Sequence, residues 1–130
     1  MDENTLPLGK ALAAVRTDVL HPGHLRCPVK KGALDTEWLP YVGDAGLVLL
    51  TRDGRIRHRP AEKRLFLAHA VKGVFLTSAG NMTRWDMLRM VVQHWDKIDR
   101  LVQVPGPCAH SLTPTGAREL KLPDKPADRF

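Results

Sequence analysis

Residues 47–62 read Leu47-Val48-Leu49-Leu50-Thr51-Arg52-Asp53-Gly54-Arg55-Ile56-Arg57-His58-Arg59-Pro60-Ala61-Glu62. Leu47–Thr51 is an unbroken apolar run of strand length. It does not alternate, so it suits a strand covered on both faces, as in a parallel sheet between helical layers. Asp53-Gly54 has turn chemistry. Pro60 is suited to the first helical position, where its missing N–H costs nothing, and the helix continues through Glu62, Leu65, Leu67 and Ala68 towards Val71. Strand, turn and helix in this order make an α/β unit. Ligands in such sheets sit beyond the carboxyl ends of the strands, which is where this reading places Asp53.

Towards the C-terminus, Gly73 ends the helix and Val74-Phe75-Leu76-Thr77 predicts a second buried strand, with Thr77-Ser78 just beyond it. Thr83-Arg84-Trp85-Asp86 resembles a capping box with Asp in place of Glu or Gln. It opens a predicted helix over 83–102, whose inward stripe is read as Trp85, Leu88, Val92, Trp95, Ile98 and Val102. Met87, Met90 and His94 widen the apolar surface beyond that stripe and are expected to meet a partner. Pro105-Gly106-Pro107 stops the helix. The chain then alternates to Leu112, turns at Pro114-Thr115-Gly116 and returns through Leu120-Lys121-Leu122 as a hairpin.

Towards the N-terminus, a helix is predicted from Leu6 to Val15, with Leu8, Leu12 and Val15 on one face. A short extended piece at Asp18-Val19-Leu20 follows, and then a loop over His21–Leu34 punctuated by Pro22, Gly23, Pro28 and Gly32. Asp35 is read as an N-cap, with Glu37 in the first turn and Gly43 and Gly46 ending a short helix. Residues 1–122 form the expected single domain, with a mostly parallel sheet, and 123–130 are a loose tail.

The chain has 130 residues, 43% of them hydrophobic and 26% charged, which excludes disordered and fibrous classes. No apolar run reaches the ~18 residues of a membrane span, and two cysteines make no disulfide framework, so a reduced, cytoplasmic setting is expected. A formal charge of +6 attracts polyanions, of which nucleic acid is the most abundant in cytoplasm. No dinucleotide-binding or P-loop glycine pattern occurs, and no serine has a nucleophile context.

The acidic residues offer chemistry. Asp2, Asp35, Glu37 and Asp53 lie at predicted helix starts and a strand end, from which carboxylates can converge at one sheet edge. Hard oxygen ligands favour Mg²⁺ or Mn²⁺. Each acid also has a plain local job: Asp35 caps, Asp53 turns and Asp2 solvates a terminus.

Asp2-Glu3-Asn4, Asp35-Thr36-Glu37-Trp38-Leu39 and Val48-Leu49-Leu50-Thr51-Arg52-Asp53 together resemble the PIN-domain nuclease family, in particular its small VapC-like toxins of toxin–antitoxin pairs. Arg55-Ile56-Arg57, Pro60-Ala61-Glu62 and Val74-Phe75-Leu76-Thr77-Ser78 extend the likeness. It implies a three-layer α/β/α sandwich with a mostly parallel central sheet, here with a C-terminal β-hairpin, and a Mg²⁺- or Mn²⁺-dependent endoribonuclease. Asp2 and Asp53 would then be metal ligands, with Asp35 or Glu37 as the acid between them. Thr51, Thr77, Ser78 and Asn81 would meet bound water or phosphate.

Two features depart from the family pattern. Only Met1 precedes Asp2, where the family places an apolar strand, and Thr77–Asn81 offers neutral groups where it often has a further acid.

Arg52, Arg55 and Arg57 are expected to grip flanking phosphates, with His58, Arg59, Lys63 and Arg64 in the same basic stretch. His21, His24 and Cys27, completed by Cys108 or His110, form a zinc alternative with spacing looser than usual sites. The expected protein is thus an RNA-cleaving toxin with a cognate antitoxin, and a homodimer is possible on the same apolar surface. The alternative is a catalytically weakened PIN-like module that binds nucleic acid or protein.

Overall fold

The computed structural model describes residues 6–30, 32–76 and 82–122, with the side chains of all of these except Arg55 and Arg57. Helix α1 spans Leu6–Val15 and α2 spans Asp35–Asp44. Strand β1 is Val48–Thr51, followed by a 3₁₀ turn at Gly54–Arg57 and helix α3 at Pro60–Ala68. Strand β2 is Lys72–Phe75, and helices α4 (Arg84–Gln93) and α5 (Trp95–Arg100) follow. Strands β3 (Cys108–Thr113) and β4 (Gly116–Leu120) close the order.

The sheet runs β1-β2-β3-β4, with β1, β2 and β3 parallel and β4 antiparallel to β3. Val48 pairs with Lys72 and Thr51 with Phe75, so β1 and β2 end level with each other. Successive strand residues point to opposite faces, and this alternation divides the core in two. Leu50, Val74, Leu76 and Leu112 pack with Leu8 and Leu12 of α1, Met87, Met90 and Val91 of α4, and Ile98 of α5. Leu49, Phe75 and Ala109 pack with Trp38 and Leu39 of α2 and Phe66 of α3. The result is the expected α/β/α sandwich with its C-terminal hairpin.

Two glycines have packing roles. Gly43 lies within α2, where an added Cβ would stand 2.2 Å from the His69 carbonyl oxygen, so its missing side chain lets α2 and α3 touch. The helix ends only after it, and Gly46, at φ +70°, turns the chain into β1. Gly73 lies inside β2 and does not end the preceding segment. A Cβ there would press on the rings of Phe75 and Phe66, which stack over it with centroids 6.3 Å apart. β2 begins at Lys72, earlier than the apolar run Val74–Thr77 predicts, because Lys72 and Gly73 pair in register with both neighbouring strands.

The segment 83–102 is not one helix. Thr83 caps it as expected, its hydroxyl accepting from the Asp86 N–H at 3.0 Å. At His94, however, the helix breaks, and the buried His94 ring places Nε2 3.3 Å from the Pro114 carbonyl in the hairpin turn. The inward stripe is Met87, Met90, Val91 and Ile98, whereas Trp85 and Val92 are 65% and 56% exposed. The methionines and histidine expected to meet a partner are therefore core residues. Two apolar stripes lie side by side in this segment, and three- and four-residue steps fit both. Asp18-Val19-Leu20 forms no strand, although Val19 is buried. Among the described residues, no helix is long and apolar enough to cross a membrane.

Candidate active site

Asp53 stands two residues past the carboxyl end of β1. Thr51 is fully buried, and its Oγ1 accepts from the Asp53 N–H at 3.0 Å, fixing the turn that leaves the strand. The next turn is closed by the Gly54 N–H on the Arg52 carbonyl at 3.1 Å. Ile56, wholly buried, anchors the 3₁₀ turn to the α2–α3 side of the sheet. The Asp53 side chain is held at 7% exposure. A carboxylate so placed needs charged or hydrogen-bonding partners.

Arg59 supplies one. It is the N-cap residue of α3, and its Nη1 lies 3.6 Å from Asp53 Oδ2, 3.7 Å from Asp35 Oδ2 and 3.3 Å from Glu62 Oε1. Three carboxylates from three elements thus converge on one guanidinium. Asp35 comes from the first turn of α2, and Leu34 takes the N-cap position that the sequence assigns to Asp35. Glu62 comes from the first turn of α3, set there by Pro60 at the helix start. At their far, C-terminal ends α2 and α3 touch at Gly43 and His69, with a 2.9 Å bond between Asp44 Oδ1 and His69 Nδ1. The two helices thus lie side by side along their length, with both first turns beside Arg59.

The predicted site residues separate as follows. Asp35 and Asp53 face the same guanidinium. Glu37, two residues along α2, is exposed, while the acids around Arg59 are Asp35, Asp53 and Glu62. Thr51 is closed to solvent, and its hydroxyl serves the Asp53 turn. Arg52 is exposed beside Asp53. Asp2, Thr77, Ser78 and Asn81 lie outside the described residues, as do the side chains of Arg55 and Arg57.

Arg59 is not part of an outward basic strip but turns in towards the acids. Sequence reading missed Glu62 as a site residue; the signal available was Pro60, which dates the helix start and so places Glu62 in its first turn. It missed the direction of Arg59 as well, which no local pattern specifies.

The donor set is carboxylate oxygen, the chemistry that suits Mg²⁺ or Mn²⁺. Among the described residues, no group of three His, Cys, Asp or Glu is spaced to share a metal ion as it stands. The carboxylates are spaced around a guanidinium. The zinc alternative is not assembled either. The Nδ1 of His24 accepts from the Arg26 N–H at 3.0 Å, and His21 and His24 meet edge to face at 5.3 Å. Desolvation, followed by the charge of Arg26 and the neighbouring His21, pushes the His24 pKa down.

A cavity of about 450 Å³ lies elsewhere, along β1 beside Asp18, Trp38 and Trp95, and none of Asp35, Asp53, Arg59 or Glu62 lines it.

The chain belongs to the PIN-like domain family: the family model matches residues 1–78, which include β1, the Asp53 turn, α3 and β2. PIN-like domains are nuclease-type modules. No curated protein and no solved structure matches the chain.

Proposed function

We propose that this protein is a metal-dependent endoribonuclease that hydrolyses RNA phosphodiester bonds, the toxin half of a toxin–antitoxin pair acting in the cytoplasm. The observation that carries the reading is the convergence of Asp35, Asp53 and Glu62 at the carboxyl end of a buried parallel strand. Asp35 and Asp53 are too far apart in sequence to have a local reason to share one cation, and a carboxylate as buried as that of Asp53 is costly without positive charge beside it.

Asp53 and Asp35, with Asp2, would hold Mg²⁺ or Mn²⁺. A divalent ion at this point supplies neutralisation of the phosphodiester charge and eases the deprotonation of water. Thr51 keeps Asp53 in place through the buried turn, and the exposed Arg52 is set to contact a flanking phosphate, which would make binding salt-dependent. The overall positive charge favours RNA at the approach to an acidic centre.

Cleavage of a mixed RNA pool in Mn²⁺, in Mg²⁺ and in EDTA tests the reading. Cutting should require the ion, and Asp53→Asn should lower it on the order of a hundredfold or more while the fold is kept. A folded Asp53→Asn protein with unchanged activity would remove the site from consideration.

A second reading is favoured by one observation: Arg59 already compensates the carboxylates. A carboxylate site already neutralised by a side chain needs no metal, which fits a PIN-like module that binds RNA without cutting it. RNA binding that survives EDTA, with no cleavage in either metal, would select it.

A further inference from the structure

We infer that Arg59 is the resident counter-ion of this acidic site and the group that a divalent ion displaces on entering, a role that rests on the nuclease reading. Its Nη1 is within ion-pair range of Asp35, Asp53 and Glu62, so the guanidinium sits at the point these carboxylates share. The contacts are loose. Those to the two aspartates, at 3.7 and 3.6 Å, exceed hydrogen-bond length, and the Glu62 bond is long at 3.3 Å. The guanidinium spreads a single charge over a large plane, so a compact ion carrying two charges would be held more strongly by these carboxylates than the group it replaces. The Arg59 side chain is 37% exposed, which gives it a way out towards solvent. Once displaced, its planar fork would be left at the rim of the site, where phosphate is the ligand it fits.

Arg59 is therefore a positioning residue that gathers the carboxylates around one point in the metal-free protein. Competition of this kind is reciprocal: what weakens Arg59 in the site strengthens the ion.

The test is Mn²⁺ binding to the full chain without RNA, followed by the electron paramagnetic resonance signal of free Mn²⁺ and by melting temperature. The set is wild type, Arg59→Met, Arg59→Gln, Arg59→Lys and Asp53→Asn. Arg59→Met and Arg59→Gln should bind Mn²⁺ on the order of tenfold more tightly than wild type and gain more thermal stability from it. Arg59→Lys, which keeps a competing charge, should stay near wild type. If Arg59→Met does not fold, Arg59→Gln carries the comparison.

Equal or weaker binding in the folded Arg59→Gln protein would overturn the displacement role. The metal reading would still stand if Asp53→Asn binds less than wild type. Absence of Mn²⁺ binding in every protein would overturn both.

Discussion

Two arginines meet carboxylates in this molecule in opposite ways. Arg16 grips Asp18 with two parallel bonds of 2.7 Å, both side chains are well exposed, and the guanidinium also lies 4.6 Å from the centre of the Trp95 ring. One charge meets one charge in the geometry the fork prefers. Arg59 meets three carboxylates, touches none closely and shares the space with the nearly buried Asp53. The first arrangement is complete and has no demand left for a cation. The second gathers carboxylates from three elements, and the fold has to hold it together. A surface ion pair of good geometry is thus a local ornament, whereas a poor one assembled from three elements is where binding chemistry is to be sought.

The largest expected effect comes from prising apart the elements that build the second cluster. Gly43→Val would push a side chain into the His69 carbonyl and separate α2 from α3, at a cost of about 2–3 kcal/mol. Urea unfolding should show the loss. At sub-denaturing urea, metal-dependent cleavage should fall as well, because tilting α2 away from α3 at its C-terminal end also shifts Asp35 in its first turn, while Arg16 and Asp18 stay paired.

A smaller loss is expected from Thr51→Val. It keeps the side-chain shape but leaves the buried Asp53 N–H without the hydroxyl it now donates to, at a cost of about 1–3 kcal/mol. Thr51→Ser should restore most of both stability and cleavage, which would assign the role to the oxygen and its hold on Asp53. Recovery by Thr51→Ala instead would break that assignment.

The smallest effect belongs to the other arginine. The hydrogen bonds from Arg16 hold the Asp18 carboxyl below its usual value of 3.8. A carboxylate whose pKa is lowered by folding adds stability above the unfolded value and loses it as pH falls through the folded one. Asp18→Asn should therefore be slightly less stable than wild type at neutral pH. The difference should shrink below about pH 4 as the wild-type carboxyl takes up its proton. Cleavage at neutral pH should not change. Melting curves at pH 7 and pH 3 give the sign, and a difference that grows in acid would contradict it.

The comparison also marks what could be read from the chain alone. Leu6–Val15 is a helix with the predicted bounds, Pro60 opens α3, Thr83 caps α4, and Pro114-Thr115-Gly116 turns the hairpin. In each case the determining chemistry lies within a few residues: a missing N–H, a capping hydroxyl, a turn that accepts glycine. The buried run Leu47–Thr51 belongs here too, because a strand covered on both faces has no need to alternate.

Where two answers were locally equivalent, local reading failed. Two apolar stripes at helical spacing overlap here: packing against Leu50, Val74 and Leu112 buries Met87, Met90 and Val91, keeps Leu88 and Trp95 of the predicted stripe at its margin, and leaves Trp85 and Val92 exposed. Gly43 and Gly73 read as punctuation until His69 and Phe66, distant in the chain, are placed against them.

The sequence by itself determined that this is an α/β chain with a buried strand running into an acidic turn at Asp53, since strand, turn and helix start are encoded in adjacent residues. Tertiary structure alone decided which acids share that turn. Asp35 rather than Glu37 shares Arg59 with Asp53, Glu62 joins them, and Arg59 turns inward, because these choices depend on the angle and closeness with which α2 and α3 pack on the sheet. That packing is set by contacts across dozens of residues, and no window of the chain contains them.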